Sequence, residues 1–494
     1  MTRNGVGRAW AAALVGLAVV GGCTSEVSGS ASPGTGGPAA DSAVGAGADG
    51  IGDPYFPQDG NGGYDVAHYG LEVRYDPATD LLTGTATIEA TATQGLSAFN
   101  LDLEGLEVTS VTVDGDDARA GRAGAELTVT PAEPLADGDD FTTVVAYEGV
   151  PEPLDDGLGP QGFLHTADGA LAVGQPDVAA TWFPVNDHPL DAAAVDVSVT
   201  VPEGLEGVSN GVLDGSTTED GWTTWEWSAE EPMAPYLVTL AVGEFDLREY
   251  EEDGIRYWDA IDPALAGDGA RGGQTRASLA EAALDRQPEV IAFLSGFFGP
   301  YPFDVAGGIV DDVPDLGFAL ENQTRPVYAP VFFGDASSAE IVVVHELAHQ
   351  WAGDSVRLAG WQHIWLNEGF ATYAEWIWLE EQEGRDVPQE QFDSLAEQPA
   401  GDAFWSVAIG DPGAAPEQLF DEATYYRGAM TLHALRAEIG ADAFTELVRQ
   451  WFDTEAGQAV TTDDFTALAE EVSGADLDDF FAEWLGAGRP ESLG

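Results

Sequence analysis

The pentapeptide His345-Glu346-Leu347-Ala348-His349 sets two imidazoles four residues apart, with a carboxylate beside the first. On a helix, positions i and i+4 share a face, so both rings can reach one cation. The run Ile341-Val342-Val343-Val344 before the motif and Trp351 after it, with no Pro or Gly until Gly353, predict that helix. Zinc in a reactive site takes three protein ligands. Glu368 follows His349 after eighteen intervening residues, within Trp365-Leu366-Asn367-Glu368-Gly369-Phe370-Ala371, at the start of a second predicted helix. A loop containing Gly360 and His363 can fold that helix back on the first. The expected set is therefore His345, His349 and Glu368 around one Zn2+ per chain. Such a set suits hydrolysis of an amide by water, with Glu346 as the general base that takes the water proton and returns it to the leaving amine. The growing oxyanion needs a further donor, for which a Tyr hydroxyl is suited.

Elements must hold these side chains in place. From Tyr64 to about Phe245, short alternating segments such as Leu71-Glu72-Val73-Arg74-Tyr75 and Val195-Asp196-Val197-Ser198-Val199 are separated by turn residues. That texture predicts antiparallel sheets packed as a sandwich or saddle. After Asp246 helical periodicity is expected near Ala277 to Leu284, Pro288 to Phe298, Ala339 to Gly353, Asn367 to Gln382, Gly428 to Ile439, Ala441 to Phe452 and Asp463 to Leu485. The stretch Asp315 to Val327 has few helix signals and is expected as an edge strand. The fold class is α+β and multidomain, with a β domain over residues 51–245 and a mostly helical one over 246–494. No repeat of fixed period is visible.

At 494 residues, with 44% apolar content, the chain can bury the cores of two or three domains. All 17 basic residues are Arg, against 87 Asp plus Glu, for a formal charge of −70. A field of that sign repels phosphate backbones and anionic lipids, which excludes nucleic acid as an expected partner. It fits ordinary solubility with a GC-rich coding bias, the leading reading, or adaptation to a salty exterior, where screening relieves the self-repulsion. At the N-terminus, Arg3 and Arg8 precede an apolar or Gly stretch, Ala9 to Gly22, too short to span a bilayer comfortably. It ends in Val20-Gly21-Gly22-Cys23, which resembles the lipobox of bacterial lipoproteins, in which the Cys is lipidated. Residues 1–23 are thus expected to be an export signal, with Cys23 as the lipidation site and the only membrane contact. The protein is expected outside the cytoplasm, lipid-anchored to the outer face of the cell membrane or else secreted. Cys23 is the only cysteine, so no intramolecular disulfide can form. Residues 24–50, almost wholly Ser, Gly, Ala, Pro, Thr and Asp, read as a flexible tether.

The spacing of the two His and Glu368, within Leu366-Asn367-Glu368-Gly369-Phe370-Ala371, resembles the zinc aminopeptidases that include aminopeptidase N and leukotriene hydrolase, among the gluzincin metallopeptidases. The resemblance runs through most of residues 55–490. It implies a thermolysin-like fold for the catalytic domain and peptides as substrates. Gly317-Phe318-Ala319-Leu320-Glu321-Asn322 lies where this family carries Gly-x-Met-Glu-Asn. By that match Glu321 binds the substrate α-amine, and the backbone around Ala319 adds the peptide as an extra strand. Phe318 replaces the family's Gly and Leu320 its Met, so the first side-chain pocket differs in shape. Tyr425-Tyr426-Arg427-Gly428 resembles the family's Tyr-x-Lys-Gly, which makes Tyr425 rather than Tyr426 the oxyanion donor. Trp182 to Pro189 resembles a structural Phe-Pro-x-x-Asp-x-Pro stretch, and Gln175, twelve residues before Asp187, falls where the family presents a Gln or Glu to the amine. Phe480 to Leu485 resembles the end of the catalytic domain, implying a short bacterial exported form with an open cleft. Two rival readings share these residues: an endopeptidase, and a non-catalytic tethered binding lipoprotein with a vestigial metal site. The presence of ligands, base and Tyr together favours the enzyme.

Overall fold

Alternation in the strand Tyr64–Asp76 buries Tyr64 and Val66, then Tyr69, Leu71, Val73 and Tyr75, on one face. The phase changes from even to odd positions because the register with Leu81–Ala92 shifts between Val66 and His68, a bulge that turns the strand's face. In the computed structural model, which describes residues 44–155, 159–267, 273–413 and 415–493, this hairpin lies inside an eight-stranded sheet. The sheet is antiparallel except where Ala193–Pro202 runs parallel to Tyr64–Asp76. A four-stranded sheet carries Leu96–Asp102, and a five-stranded sheet carries Ala170–Val173 and Leu240–Gly243. The expected export signal, Cys23 and most of the tether lie outside the described residues. Among the described residues no helix is long and apolar enough to cross a membrane.

The helical part does not begin at Asp246 as expected. Two strands come first, Asp246–Glu252 and Ile255–Ile261, and form a second five-stranded sheet with Val305–Val310, Val327–Tyr328 and Ala319–Leu320. Val305–Val310 is buried throughout and runs parallel to Ile255–Ile261. A strand covered on both faces shows no alternation, which hides it from a period-two search. The expected edge strand at Asp315 to Val327 reduces to Ala319–Leu320, paired with Val327–Tyr328 at the sheet's outer end. Between these pieces the chain turns, with Thr324 at φ +65°. The helices follow the expected order, but the last predicted one is broken. Thr462–Ser473 ends at Gly474 in a left-handed cap, and Asp478–Leu485 starts afresh.

Arg325 joins the second sheet to the strands before it. Its fully buried guanidinium donates to Trp258 O at 2.6 Å, Ala306 O at 2.8 Å, Gly211 O at 2.7 Å and Ser209 O at 3.3 Å. Four carbonyls satisfy one cation, so the charge is buried with its donors paired. The turn holding residues 319–325 is thereby pinned to both sheets.

Candidate active site

Asp335 caps the motif helix, Ala336–His349, by accepting from the amides of Ser337 and Ser338 at 3.2 and 3.1 Å. The helix ends on the second histidine. A 3-10 turn at Trp361–His363 leads into the second helix, Trp365–Glu383, whose first turn carries Glu368. The two helices pack together and bring Glu368 Oε2 within 3.3 Å of His345 Nε2 and 3.5 Å of His349 Nε2. Tyr425 arrives on a third helix, Glu422–Ile439, by a close crossing. A Cβ on Gly428 would lie 2.8 Å from Gly369 Cα, and one on Gly369 would lie 2.9 Å from the Gly428 carbonyl carbon. Two glycines let the backbones touch, and their neighbours Glu368 and Tyr425 share one cavity as a result.

The donor set fits zinc. One ligand atom from each of His345, His349 and Glu368 lies within 4.8 Å of the others. A tetrahedron with bonds of roughly 2.1 Å has edges of about 3.4 Å, the spacing seen between Glu368 Oε2 and the two imidazole nitrogens. Each ring's other nitrogen meets an acceptor: His345 Nδ1 lies 2.6 Å from Glu375 Oε1 and His349 Nδ1 2.9 Å from Ala352 O. Those acceptors hold the Nδ1–H tautomer and aim both Nε2 lone pairs at the shared point. Burial opposes the charge on Glu368, but His349 and His345 outweigh it and bring its carboxyl down to about 2. Burial likewise works against protonation of His349, and Glu321 and Glu368 overcome it, raising the ring to about 9.

Glu346 and Glu321 form a second carboxylate group with His349, again within 4.8 Å. Burial, moderated by His345 and His349 and reinforced by Glu321 and Glu368, raises Glu346 to about 8. Glu321 is buried and accepts from Tyr236 Oη at 3.0 Å. Its own backbone oxygen accepts from Gln350 Nε2 at 2.9 Å, one residue past the motif. Tyr425 stacks near His345, with centroids 6.1 Å apart, and burial and the surrounding carboxylates keep its hydroxyl protonated. Tyr426 is 37% exposed and sits at the rim. Gln175 and Ala319 also line the cavity, which encloses about 440 Å³. Every expected site residue except Cys23 thus falls in one place.

Three contacts had no place in the sequence reading. Glu375 lies seven residues after Glu368, two turns along the same helix face, so helical period alone could have found it. Tyr236, on a short turn 85 residues before Glu321, and Gln161, whose Oε1 accepts from the Gln175 amide at 3.1 Å, carry no local signal.

Comparison with known proteins agrees with this geometry. The Peptidase M1 N-terminal domain matches residues 66–237, and the Peptidase family M1 domain matches residues 285–484. A solved M1 zinc metallopeptidase from Deinococcus radiodurans is 30% identical, covers 90% of this chain and 99% of its own, and superposes with a TM-score of 0.78. The chain belongs to the M1 peptidase family. A mutant of that Deinococcus radiodurans M1 enzyme bound to a Tyr-Ser-Ala substrate is also 30% identical, with 90% and 99% coverage and a TM-score of 0.77. Aminopeptidase M1-C of Oryza sativa subsp. japonica is 28% identical over 62% of this chain and 35% of its own. The chain spans between about a third and a half of the length of the curated relatives first matched. The expected two-part fold, β-rich and then largely helical, is that of the M1 family, and one zinc per chain is the metal the family implies.

Proposed function

We propose that this M1 peptidase removes N-terminal residues from peptides. The observation that carries the reading is the buried Glu321 carboxylate, held by Tyr236 within one residue's reach of the His345–His349–Glu368 group. A fixed anion there pairs with a free α-amine and places the first peptide bond, and no later one, at the reacting position.

His345, His349 and Glu368 would hold zinc, which when bound polarises an amide carbonyl and lowers the pKa of water. The chain's own groups do the rest. Glu346, beside the first ligand and within 4.8 Å of His349, takes a proton from the attacking water at its carboxylate and hands it to the leaving amine. The Tyr425 hydroxyl, still protonated, donates to the oxyanion. Glu321 and Gln175 receive the α-amine, and the open edge of the strand Ala319–Leu320 pairs with the substrate backbone.

The test is hydrolysis of aminoacyl amides with free and acetylated N-termini, before and after chelation and zinc return, with Glu346→Gln beside the parent. We expect turnover of free amines only, lost on chelation, restored by zinc, and reduced at least a thousandfold in Glu346→Gln with its zinc retained. Equal turnover of acetylated substrates would make the enzyme an endopeptidase. Full activity in Glu346→Gln would remove the proposed base.

Export and lipidation at Cys23 belong to the same proposal, supported by Arg3, Arg8 and the apolar run that ends at Cys23. Membrane association of the full chain, lost in Cys23→Ser, is the expected result; unchanged association would remove the lipid anchor.

A further inference from the structure

Two residues after Gln175, Asp177 adds its charge to a group of carboxylates that the proposed reaction does not use. Asp59 and Asn61 stand in the loop before the strand Tyr64–Asp76. Asp102 ends the strand Leu96–Asp102, and Asp187 follows the 3-10 turn Ala179–Thr181. Asp102 is the hub. Its Oδ2 accepts from the Asn61 carboxamide at 3.1 Å and from the Asp187 amide at 2.9 Å. Its backbone pairs with Val185 in both directions, at 2.7 and 3.0 Å. Gly60, at φ +64°, brings the loop in so closely that a Cβ there would lie 2.7 Å from His188 Cβ.

The donors of this region are taken up by Asp102 and by one oxygen of Asp187, which accepts from the Ala180 amide at 2.9 Å. Three oxygens are left over. Asp187 Oδ1, Asn61 Oδ1 and Asp59 Oδ2 are enclosed and have no hydrogen-bond partner in the protein. Asn61 is fully buried and Asp187 is 3% exposed. Asn61 cannot turn over to help, because its carboxamide nitrogen is needed by Asp102. Nor does a cation stand by. The charges that act on Asp59, Asp102 and Asp187 are other carboxylates, Asp177 among them in every case. His188, next in the chain, is held by Asp53 at 3.2 Å. Burial and this repulsion push the Asp59 carboxyl up to about 8 and hold Asp187 well above the usual carboxylate range. Enclosed acceptors without donors or countercharge are costly unless something positive joins them.

We propose that Asp59, Asn61 and Asp187 bind a calcium ion, with Asp102 and Asp177 as the surrounding negative charge. Calcium takes oxygen ligands alone, about six to eight of them at roughly 2.3–2.6 Å, from carboxylates, carboxamides, backbone and water. The group offers neither imidazole nor thiolate, which sets it apart from the zinc ligands. It is also wider. The ligand atoms of His345, His349 and Glu368 lie within 4.8 Å of one another, and no three of these carboxylates are so close. A large ion with a flexible, partly hydrated shell suits that spacing, whereas magnesium needs a near-ideal octahedron at about 2.0–2.1 Å. Asp59 is only half-buried, so an ion has a way in. Once bound, it ties the loop at residues 59–61 to the segment that carries Gln175. The site stands apart from the reaction, whichever peptide bond the enzyme attacks.

The experiment uses the full chain, stripped of calcium on a chelating resin and reloaded with zinc. Work in 1 M KCl, where the Debye length is about 3 Å, screens loose attraction of Ca2+ to the acidic surface. Calorimetric titration with CaCl2 counts the ions. Luminescence of Tb3+, sensitised by the neighbouring Tyr64 and Tyr69, gives a second readout, and melting curves are taken with and without 10 mM Ca2+ or Mg2+. The variants are Asp59→Asn and Asp187→Asn, with Asp476→Asn as a control in the exposed Glu470–Asp476–Asp478 group. We expect one Ca2+ per chain with a Kd of about 0.1–1 mM, and a melting rise of about 1–3 °C at 10 mM that Mg2+ does not match. Asp59→Asn and Asp187→Asn should each weaken binding at least tenfold and lose the melting response, while Asp476→Asn binds as the parent does. Should Asp187→Asn fail to fold, Asp59→Asn decides. No saturable uptake in 1 M KCl would mean that the acids hold protons instead, and would overturn the site. Uptake unchanged in Asp59→Asn, or lost only in Asp476→Asn, would overturn it equally. An equal response to Mg2+ would overturn the choice of calcium.

Discussion

Tyr236 donates its hydroxyl to Glu321 Oε1 at 3.0 Å, across a sequence distance of 85 residues. Tyr236 stands on the short turn Pro235–Leu237, just before a strand of the five-stranded sheet that also carries Ala170–Val173. Glu321 stands in the turn pinned by Arg325. The carboxylate assigned to the substrate amine is thus set by residues matched to the N-terminal M1 domain as well as by the catalytic one. The Trp361 ring packs edge-on against Tyr236 at 5.3 Å and fixes the phenol from its other side.

Removing that hydroxyl should cost binding more than chemistry. A hydrogen bond to a charged group contributes about 1.5–3 kcal/mol, so Tyr236→Phe is expected to raise KM for free-amine substrates roughly tenfold or more, with kcat changed less. Steady-state kinetics beside a melting curve check this. A fall in kcat at constant KM would mean that Tyr236 acts on the reacting atoms and not on the amine.

What the sequence made legible follows from which interactions are local. His345 and His349 are fixed by helical period, and Glu368 by the start of the next helix. Their meeting at 3.3–3.5 Å needed only two helices and a loop between them. Glu375, two helical turns after Glu368, is equally local. Tyr236 and Gln161 carry no local signal, because their positions depend on how strands far apart in sequence come together. The strands Asp246–Glu252 and Ile255–Ile261 were missed for a different reason: one is charged on both faces, and the other runs into a buried, parallel-paired layer without alternation. The predicted helix from Asp463 to Leu485 failed at Gly474, where a left-handed residue ends the turn and periodicity resumes on a new axis.

The Gly369–Gly428 crossing makes a second prediction. An added methyl at Gly428 meets Gly369 Cα at 2.8 Å, which backbone cannot yield cheaply. Gly428→Ala must part the two helices and carry Tyr425 away from the ligand cluster. Overpacking costs about 1–3 kcal/mol, so melting should drop by several degrees. kcat should fall more than KM rises, since the displaced group is the one assigned to the oxyanion. A variant with parental melting and kcat would mean that the contact is not needed.

Asp53 supplies an acid-sensitive clasp on the same machinery. Its carboxylate accepts from the amides of Tyr55, Phe56 and Trp361 at 2.7, 2.9 and 3.1 Å and lies 3.2 Å from His188 Nε2. Burial alone would push its pKa up, but His188 and these amides bring it down to about 2. A depressed folded value means stability that is full above the unfolded value near 4 and lost as pH falls through about 2. Asp53→Asn should therefore cost about 2 kcal/mol at pH 7 and progressively less toward pH 2. Paired unfolding curves of parent and variant at pH 7, 4 and 2.5 measure it, and a constant difference across that range would exclude the carboxylate's charge as the source.

Zinc uptake should also strengthen as pH rises, but in a higher pH window. Glu321 and Glu368 raise His349 to about 9 against the effect of burial, and Glu368 and Glu375 hold His345 well above its ordinary value. An imidazole that holds its proton below that value must release it before Nε2 can bind a metal. Between pH 6 and 8 each displaced proton makes the apparent affinity rise about tenfold per pH unit. Glu368, already ionised above about 2, contributes no such slope. Zinc titrations of the chelated protein against a competing dye at pH 6, 7 and 8 give the slope directly. Calorimetry in buffers of different ionisation enthalpy counts the protons independently. A slope of one or two protons fits ligation through the two histidines, whereas a flat profile would exclude them as the protonated groups zinc displaces.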